Sequence, residues 1–180
     1  AVIYRFANLL GSPNVLTAGH FCYGPRIATS IITCGTNPIA DYENHPRCIM
    51  VWGNNLVISN PDCYKGEPFS VSLNKGAKLI AVDPRLTRIA ARADVWLPLR
   101  PGTDAALALG MLNVIANEEL YDREFVENFV YGWEPFVKRV NEYPLEKVEE
   151  ITWVSKEKIQ QAARLFATTK PAVIQWGVAI

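Results

Sequence analysis

The sequence predicts an α/β fold, a parallel β-sheet covered by helices on both faces. Three observations carry that expectation. Continuous apolar runs recur at Cys48–Trp52, Lys78–Val82 and Ala172–Trp176, each closed by turn-forming residues; strands buried on both faces read that way, whereas half-exposed strands alternate. Helical patterns lie between and after those runs. Apolar residues make up 49% of the 180-residue chain, ample for a packed core of one domain or one and a fraction.

Taken in order, Ala1–Leu10 is apolar and leaves through Gly11-Ser12-Pro13-Asn14, a helix exit and turn. His20–Arg26 reads as a polar loop. Ile27–Thr33 is apolar and β-branched, either a strand or a buried helix segment, which periodicity alone does not decide. Thr36–Arg47, rich in Asn, Pro and Asp, reads as a loop. After the first two strands, Asp104–Asn117 is a helix with apolar residues almost all round, expected to be buried, with Thr103 as its N-cap. Asp122 caps a helix carrying Phe125, Val126, Phe129 and Val130 on one face. Ser155 caps another with Ile159, Ala162, Ala163 and Phe166 at helical spacing, which Pro171 stops before the third strand.

Composition excludes several classes. Lys and Arg number 18, Asp and Glu 18, so the net charge is zero; no basic surface for nucleic acid and no acidic tail is expected. No apolar run reaches the roughly 18 residues needed to span a membrane, and no targeting segment opens the chain. The cysteines Cys22, Cys34, Cys48 and Cys63 form no C-x-x-C pair, which disfavours a zinc site or redox motif and an iron–sulfur cluster within this segment; reduced thiols are expected rather than disulfides. Cys34, Cys48 and Cys63 read as packing residues. Trp52, Trp96, Trp133, Trp153 and Trp176 read as core.

In open parallel sheets, ligands bind beyond the carboxyl ends of the strands. Those ends are Gly53-Asn54-Asn55, Asp83-Pro84-Arg85 and Gly177. Glycine lets backbone approach a phosphate, Asn and backbone N–H groups donate to its oxygens, and Arg85 pairs with an anion or stacks on a ring. Asp83 suits ribose hydroxyls or guanine N–H groups, being acceptor-only when ionised. Pro101-Gly102-Thr103-Asp104, at a helix N-terminus, adds an anion-friendly or guanine-reading edge. Together they suggest a nucleotide-containing cofactor. Neither G-x-G-x-x-G nor G-x-x-x-x-G-K-[ST] is present, so plain NAD or ATP binding is disfavoured.

The run Val82–Leu109, with Asp83-Pro84-Arg85 and Arg100-Pro101-Gly102-Thr103-Asp104, resembles the pterin-dinucleotide segment of molybdopterin oxidoreductases, the dimethyl sulfoxide reductase superfamily. Cys48–Asn55 is similar to that family's strand and "G-x-N" loop; Leu120–Val126 and Pro144–Ala163 are also similar to family segments. The resemblance covers nearly the whole chain. It implies a Rossmann-like cofactor-binding domain over residues 48–180 and a metal-ligand segment over 1–47. It further implies two pterin guanine dinucleotides holding one Mo or W ion. Gly53 and Asn55 would approach a phosphate, Asp83 and Arg85 a guanosine portion, and Gly102 and Asp104 guanine or ribose. The segment Gly11–Arg26 resembles the region carrying the metal's protein ligand, and Cys22 falls on that position; a thiolate is a soft ligand suited to such a centre.

The sequence departs from the family in places. Formate dehydrogenases have His directly after the ligand; here that position is Tyr23, and His20 lies two residues before Cys22. Tyr23 and Arg26 could donate to or steer a small-molecule substrate. The Cys-rich motif for a [4Fe–4S] cluster is absent, as is the domain that completes the second pterin site, so the chain reads as an incomplete piece or as one whose missing parts sit on other polypeptides. An iron–sulfur electron-transfer subunit or domain is the implied partner. Two readings stand: a redox catalyst, with non-redox hydration or transhydroxylation known among relatives, or a metal-free subunit like the large iron–sulfur subunit of respiratory complex I. Substrate, Mo versus W, and cytoplasmic versus periplasmic location stay open.

Overall fold

Side chains alternate across the sheet, so each apolar run feeds two cores at once. The computed structural model describes residues 2–16, 19, 24–59 and 65–177, which divide into two compact units, Ala1–Ile39 and Ala40–Ile180.

The first unit holds α1 (Val2–Leu9) and α2 (Gly24–Cys34). The open choice at Ile27–Thr33 resolves as helix, and the helix begins at Gly24, inside the expected loop. Pro25 sits in its first turn, where a missing N–H is no loss. Thr29 and Thr33 donate their hydroxyls back to the carbonyls of Pro25 and Thr29, both at 2.8 Å, which satisfies these polar β-branched residues within the helix. Ser30 is its buried residue, so α2 is not the core segment its composition suggested.

The second unit runs β1 (Cys48–Trp52), α3 (Leu56–Ser59), α4 (Gly66–Asn74), β2 (Lys78–Val82), α5 (Arg88–Arg92), β3 (Val95–Leu97), α6 (Asp104–Asn117), α7 (Arg123–Phe129), α8 (Trp133–Asn141), α9 (Leu145–Thr152), α10 (Lys156–Thr168) and β4 (Ala172–Trp176). The sheet is parallel throughout, in the order β3-β2-β1-β4. The three expected strands form with the expected bounds. β3, only three residues long and followed by Pro98, went unread in the sequence.

One face carries Cys48, Met50, Trp52, Ile80, Val82, Val95 and Leu97 against Leu107, Met111 and Val114 of α6, Val148 of α9 and Ile159, Ala162 and Ala163 of α10. The other carries Ile49, Val51, Leu79 and Ala81 against Leu56, Phe69, Ile89 and Ala90. Ile49, Met50, Leu79 and Ile80 are essentially inaccessible, each worth about 1.5–3 kcal/mol of transfer free energy. α6 and α9 meet closely: a Cβ on Gly110 would lie 2.8 Å from Val148 Cγ1.

Some expectations need correction. β4 is not covered on both faces: it lies at the end of the strand order with β1 as its partner, and Ile174 is 43% exposed. The apolar face of α7 points outward, with Phe125 and Phe129 exposed and their rings 5.4 Å apart. Trp153 is exposed rather than core, closing α9 in the left-handed conformation with φ 64°. Asp122 caps α7 through Phe125 N–H as expected, but Thr103 and Ser155 occupy N-cap positions without a side-chain capping bond. Cys34 and Cys48 are free thiols; Cys22 and Cys63 lie outside the described residues. Among the described residues no helix is long and apolar enough to cross a membrane.

Candidate cofactor site at the carboxyl edge of the sheet

The strand order sets where a crevice opens. The chain moves from β1 to β2 to β3 on one side, then crosses to place β4 on the other side of β1. The connections into β2 and into β4 therefore run to opposite sides of β1. That puts the switch in strand order between β1 and β4, where open parallel sheets place ligands beyond the carboxyl ends. β1 and β4 run in register from Cys48↔Ala172 to Trp52↔Trp176, and β1 and β2 from Cys48↔Lys78 to Trp52↔Val82. Gly53, Asp83 and Gly177 accordingly emerge at one level.

Glycine is required at that level. Gly177 N–H donates to Trp52 O at 2.8 Å, and Gly53 N–H donates to Val82 O at 2.9 Å. Gly53 takes φ 57°, the left-handed region. A Cβ on Gly177 would lie 1.9 Å from Gly53 O, so the two backbones pass with no room for a side chain. Asn54 Nδ2 donates to Trp176 O at 3.0 Å and straps the first loop to β4. The next residue differs: Asn55 Oδ1 is buried and has no hydrogen-bond partner among the described residues. A buried unpaired acceptor costs roughly 1–3 kcal/mol, which a donor supplied by a bound molecule would recover. Gly53 and Gly177 are half-buried with both N–H groups already donated, and the Asn55 oxygen calls for a donor such as a ribose hydroxyl or a base N–H, not a phosphate oxygen.

The second loop is held internally. Asp83 is 6% exposed; its Oδ1 accepts Arg85 N–H at 2.8 Å, and Arg85 Nε stands 3.5 Å away. Trp96 Nε1 donates to Asp83 O at 2.8 Å, fixing the turn to β3. Arg85 is largely exposed, with its guanidinium paired to the Asp83 carboxylate. The third element is the turn before α6. Gly102 takes φ 81°. Thr103 Oγ1 donates to Arg100 O at 2.6 Å, shaping the turn rather than capping the helix. Asp104, the first residue of α6, accepts from Trp52 Nε1 through Oδ1 at 2.8 Å.

The structure thus brings Gly53, Asn54, Asn55, Asp83, Arg85, Gly102, Thr103 and Asp104 to one edge of one unit. The sequence reading missed the two indoles that tie this edge together, Trp52 and Trp96. One signal was available: Trp52 is the last residue of a strand running into Gly53-Asn54-Asn55. His20, Cys22 and Tyr23 lie outside the described residues, and Arg26 stands in the first turn of α2, in the other unit. A separate cleft of about 550 Å³ lies at the amino ends of the strands, lined by His45, Arg47, Lys75 and Lys78 among others; it is at the opposite edge from these loops.

A family model described as molybdopterin oxidoreductase matches residues 1–179. The chain belongs to the molybdopterin oxidoreductase family. Among relatives, acetylene hydratase of Syntrophotalea acetylenica is 48% identical over 174 residues, covering 97% of this chain and 24% of that protein. Formate dehydrogenase H of Escherichia coli (strain K12) is 35% identical over 184 residues, covering 99% of this chain and 25% of the relative. The solved structure of acetylene hydratase from Pelobacter acetylenicus superimposes with a TM-score of 0.85 at 46% identity, covering 99% of this chain and 24% of that one. The chain spans about a quarter of the length of these molybdopterin-family relatives.

Proposed function

We propose that the second unit binds the guanosine diphosphate portion of a pterin guanine dinucleotide at the carboxyl edge of its sheet. On this reading the chain is part of the catalytic subunit of a Mo or W bis(pterin guanine dinucleotide) enzyme. The observation that carries it is the gathering of the Gly53-Asn54-Asn55, Asp83-Pro84-Arg85 and Gly102-Thr103-Asp104 turns at one edge, beside the switch in strand order. Asn55 Oδ1 is buried there without a partner among the described residues, an acceptor that a ribose or base donor would satisfy. Gly53 and Asn55 would approach a phosphate, with Asn55 Nδ2 as the donor to it and Oδ1 left for a ribose or base donor, and Asn54 would hold their loop. Asp83 and Arg85 would meet the guanosine portion, and the Gly102-Thr103-Asp104 turn would read guanine or ribose. Carboxylates accept from guanine's N–H groups, and Arg pairs with phosphate or stacks on a ring.

Cys22 is proposed as the protein ligand of the metal, its thiolate matching a soft centre. His20, Tyr23 and Arg26 are proposed to face the substrate, binding and orienting it by hydrogen bonds and charge. The bound metal and its dithiolenes would supply the bond-making chemistry, while the chain supplies orientation and excludes competing reactions.

For the reaction class, identity to acetylene hydratase is 48% against 35% for formate dehydrogenase H, and Tyr23 follows Cys22 at the position where the family resemblance implies His for a formate dehydrogenase. Both favour hydration of a small unsaturated substrate, without net electron transfer, over formate oxidation. The contrasting reading is a metal-free electron-transfer subunit. Metal and nucleotide analysis of the full-length protein from its native source separates them. Near-stoichiometric Mo or W with releasable GMP supports the enzyme; iron and sulfide without either overturns it. Acetaldehyde formed from acetylene and water supports hydration, and formate-dependent dye reduction would replace that assignment. Cys22→Ser should keep pterin content while changing the metal spectrum; an unchanged spectrum and turnover would defeat the ligand assignment.

A further inference from the structure

Most side chains at this edge are tied to their own loop. Asp104 is different: it begins α6, yet its carboxylate is held from β1, 52 residues earlier in the chain, by the Trp52 indole N–H. Trp52 is itself 8% exposed and packed in the core formed with α6, α9 and α10. Its ring therefore has little freedom to follow a moving carboxylate. A hydrogen bond to an ionised acceptor from a donor fixed in the core orients that acceptor more tightly than a solvent bond does. Oδ1 is the engaged oxygen; Asp104 is half-buried, and Oδ2 has no hydrogen-bond partner among the described residues.

Resting on the guanine-reading role proposed for Asp104, we propose that Trp52 is a positioning residue that sets base selectivity. Its N–H fixes the carboxylate plane so that the remaining acceptor capacity meets guanine. Guanine offers N1–H and an exocyclic NH₂, both donors, which an oriented carboxylate accepts. Adenine offers one NH₂ and the N1 lone pair, and a fixed carboxylate facing that lone pair is repelled. Selectivity of this kind depends on orientation: a carboxylate free to rotate can turn one oxygen away and lose the discrimination. Guanine binding should therefore depend on the indole N–H, whereas the general affinity for a nucleoside diphosphate, carried by phosphate and backbone, should not.

The test uses full-length protein prepared free of cofactor from a host unable to make the pterin, titrated with GDP and with ADP. Guanine content of the native holoprotein is measured beside it. Wild-type protein should prefer GDP. Trp52→Phe, which keeps an aromatic ring and removes the donor, should weaken GDP about tenfold and leave ADP unchanged. Equal weakening of both nucleotides would mean that Trp52 only supports the fold, and an unchanged GDP affinity would mean that the bond is idle; either overturns the proposal. Asp104→Asn provides a second arm should Trp52→Phe fail to fold. Its Oδ1 still accepts from Trp52, but an NH₂ replaces the second acceptor, so the GDP preference should collapse; a retained preference overturns the proposal. Guanine in the holoprotein with no GDP preference in the wild type overturns it while leaving the cofactor reading standing. Absence of guanine from the holoprotein fails the cofactor reading itself.

Discussion

Gly177 and Gly53 stand so close that a methyl group on Gly177 would lie 1.9 Å from the Gly53 carbonyl oxygen. The obstacle is backbone, not a side chain that could swing away. Gly177→Ala must therefore push β4 and the first loop apart. We expect a loss of about 1–3 kcal/mol in unfolding free energy, typical of overpacking. Cofactor content should fall further than stability alone explains. Denaturant unfolding and guanine analysis check the two parts separately.

The α6–α9 seam makes a second prediction. Gly110→Ala would bring its methyl 2.8 Å from Val148 Cγ1, and Val148 is fully buried. The single change should cost about 1–3 kcal/mol. Val148→Ala removes the obstacle while opening space, so the double variant should be less destabilised than the sum of the two singles. A thermodynamic cycle over the four proteins measures that coupling; strict additivity would show that the helices do not meet there.

Asp94 predicts an acid dependence of stability. Burial pushes its carboxyl upward, but the Lys78 ammonium at 2.8 Å and the Leu79 N–H at 2.9 Å outweigh burial and hold it below the ordinary carboxylate range. Its contribution is complete above the unfolded carboxylate pKa of about 3.9 and is lost as pH falls through the lower folded value. Asp94→Asn should flatten the stability curve in that acid range. An unaltered curve below about pH 4 would rule the contact out as a source of acid sensitivity.

The two described thiols should differ sharply in reactivity. Cys48 is fully buried, and burial together with the Asp94 charge pushes it up to about 11. Cys34 is exposed. At pH 8, alkylation of Cys34 should outrun that of Cys48 by at least about a hundredfold, with Cys48 labelled on unfolding. Mass spectrometry of tryptic peptides against time provides the measurement.

Sequence patterns disclosed the sheet better than what surrounds it. Cys48–Trp52 and Lys78–Val82 are legible because both faces demand apolar residues, leaving no alternation to misread. β3 is too short for any period to register, and Pro98 directly after it argues against a strand. α7 shows the converse: Phe125 and Phe129 have the spacing of a core face, yet both are exposed, because spacing reports which residues share a side and not what lies opposite. At the site, the loops were legible from turn chemistry at strand ends. The Trp52–Asp104 and Trp96–Asp83 bonds were not, since each joins segments whose proximity depends on strand order.

Those in-register strands also act as rulers. β1, β2 and β4 each place five residues between a common starting line at Cys48, Lys78 and Ala172 and a common finishing line at Trp52, Val82 and Trp176. Removing one residue from any of them would retract its loop by about 3.3 Å and turn every later side chain to the opposite face. Substitution of one apolar residue by another leaves that length untouched. The spacing between the two lines is therefore expected to tolerate changes of letter far better than changes of count, and an insertion or deletion scan through Cys48–Trp52 should abolish nucleotide retention at every position.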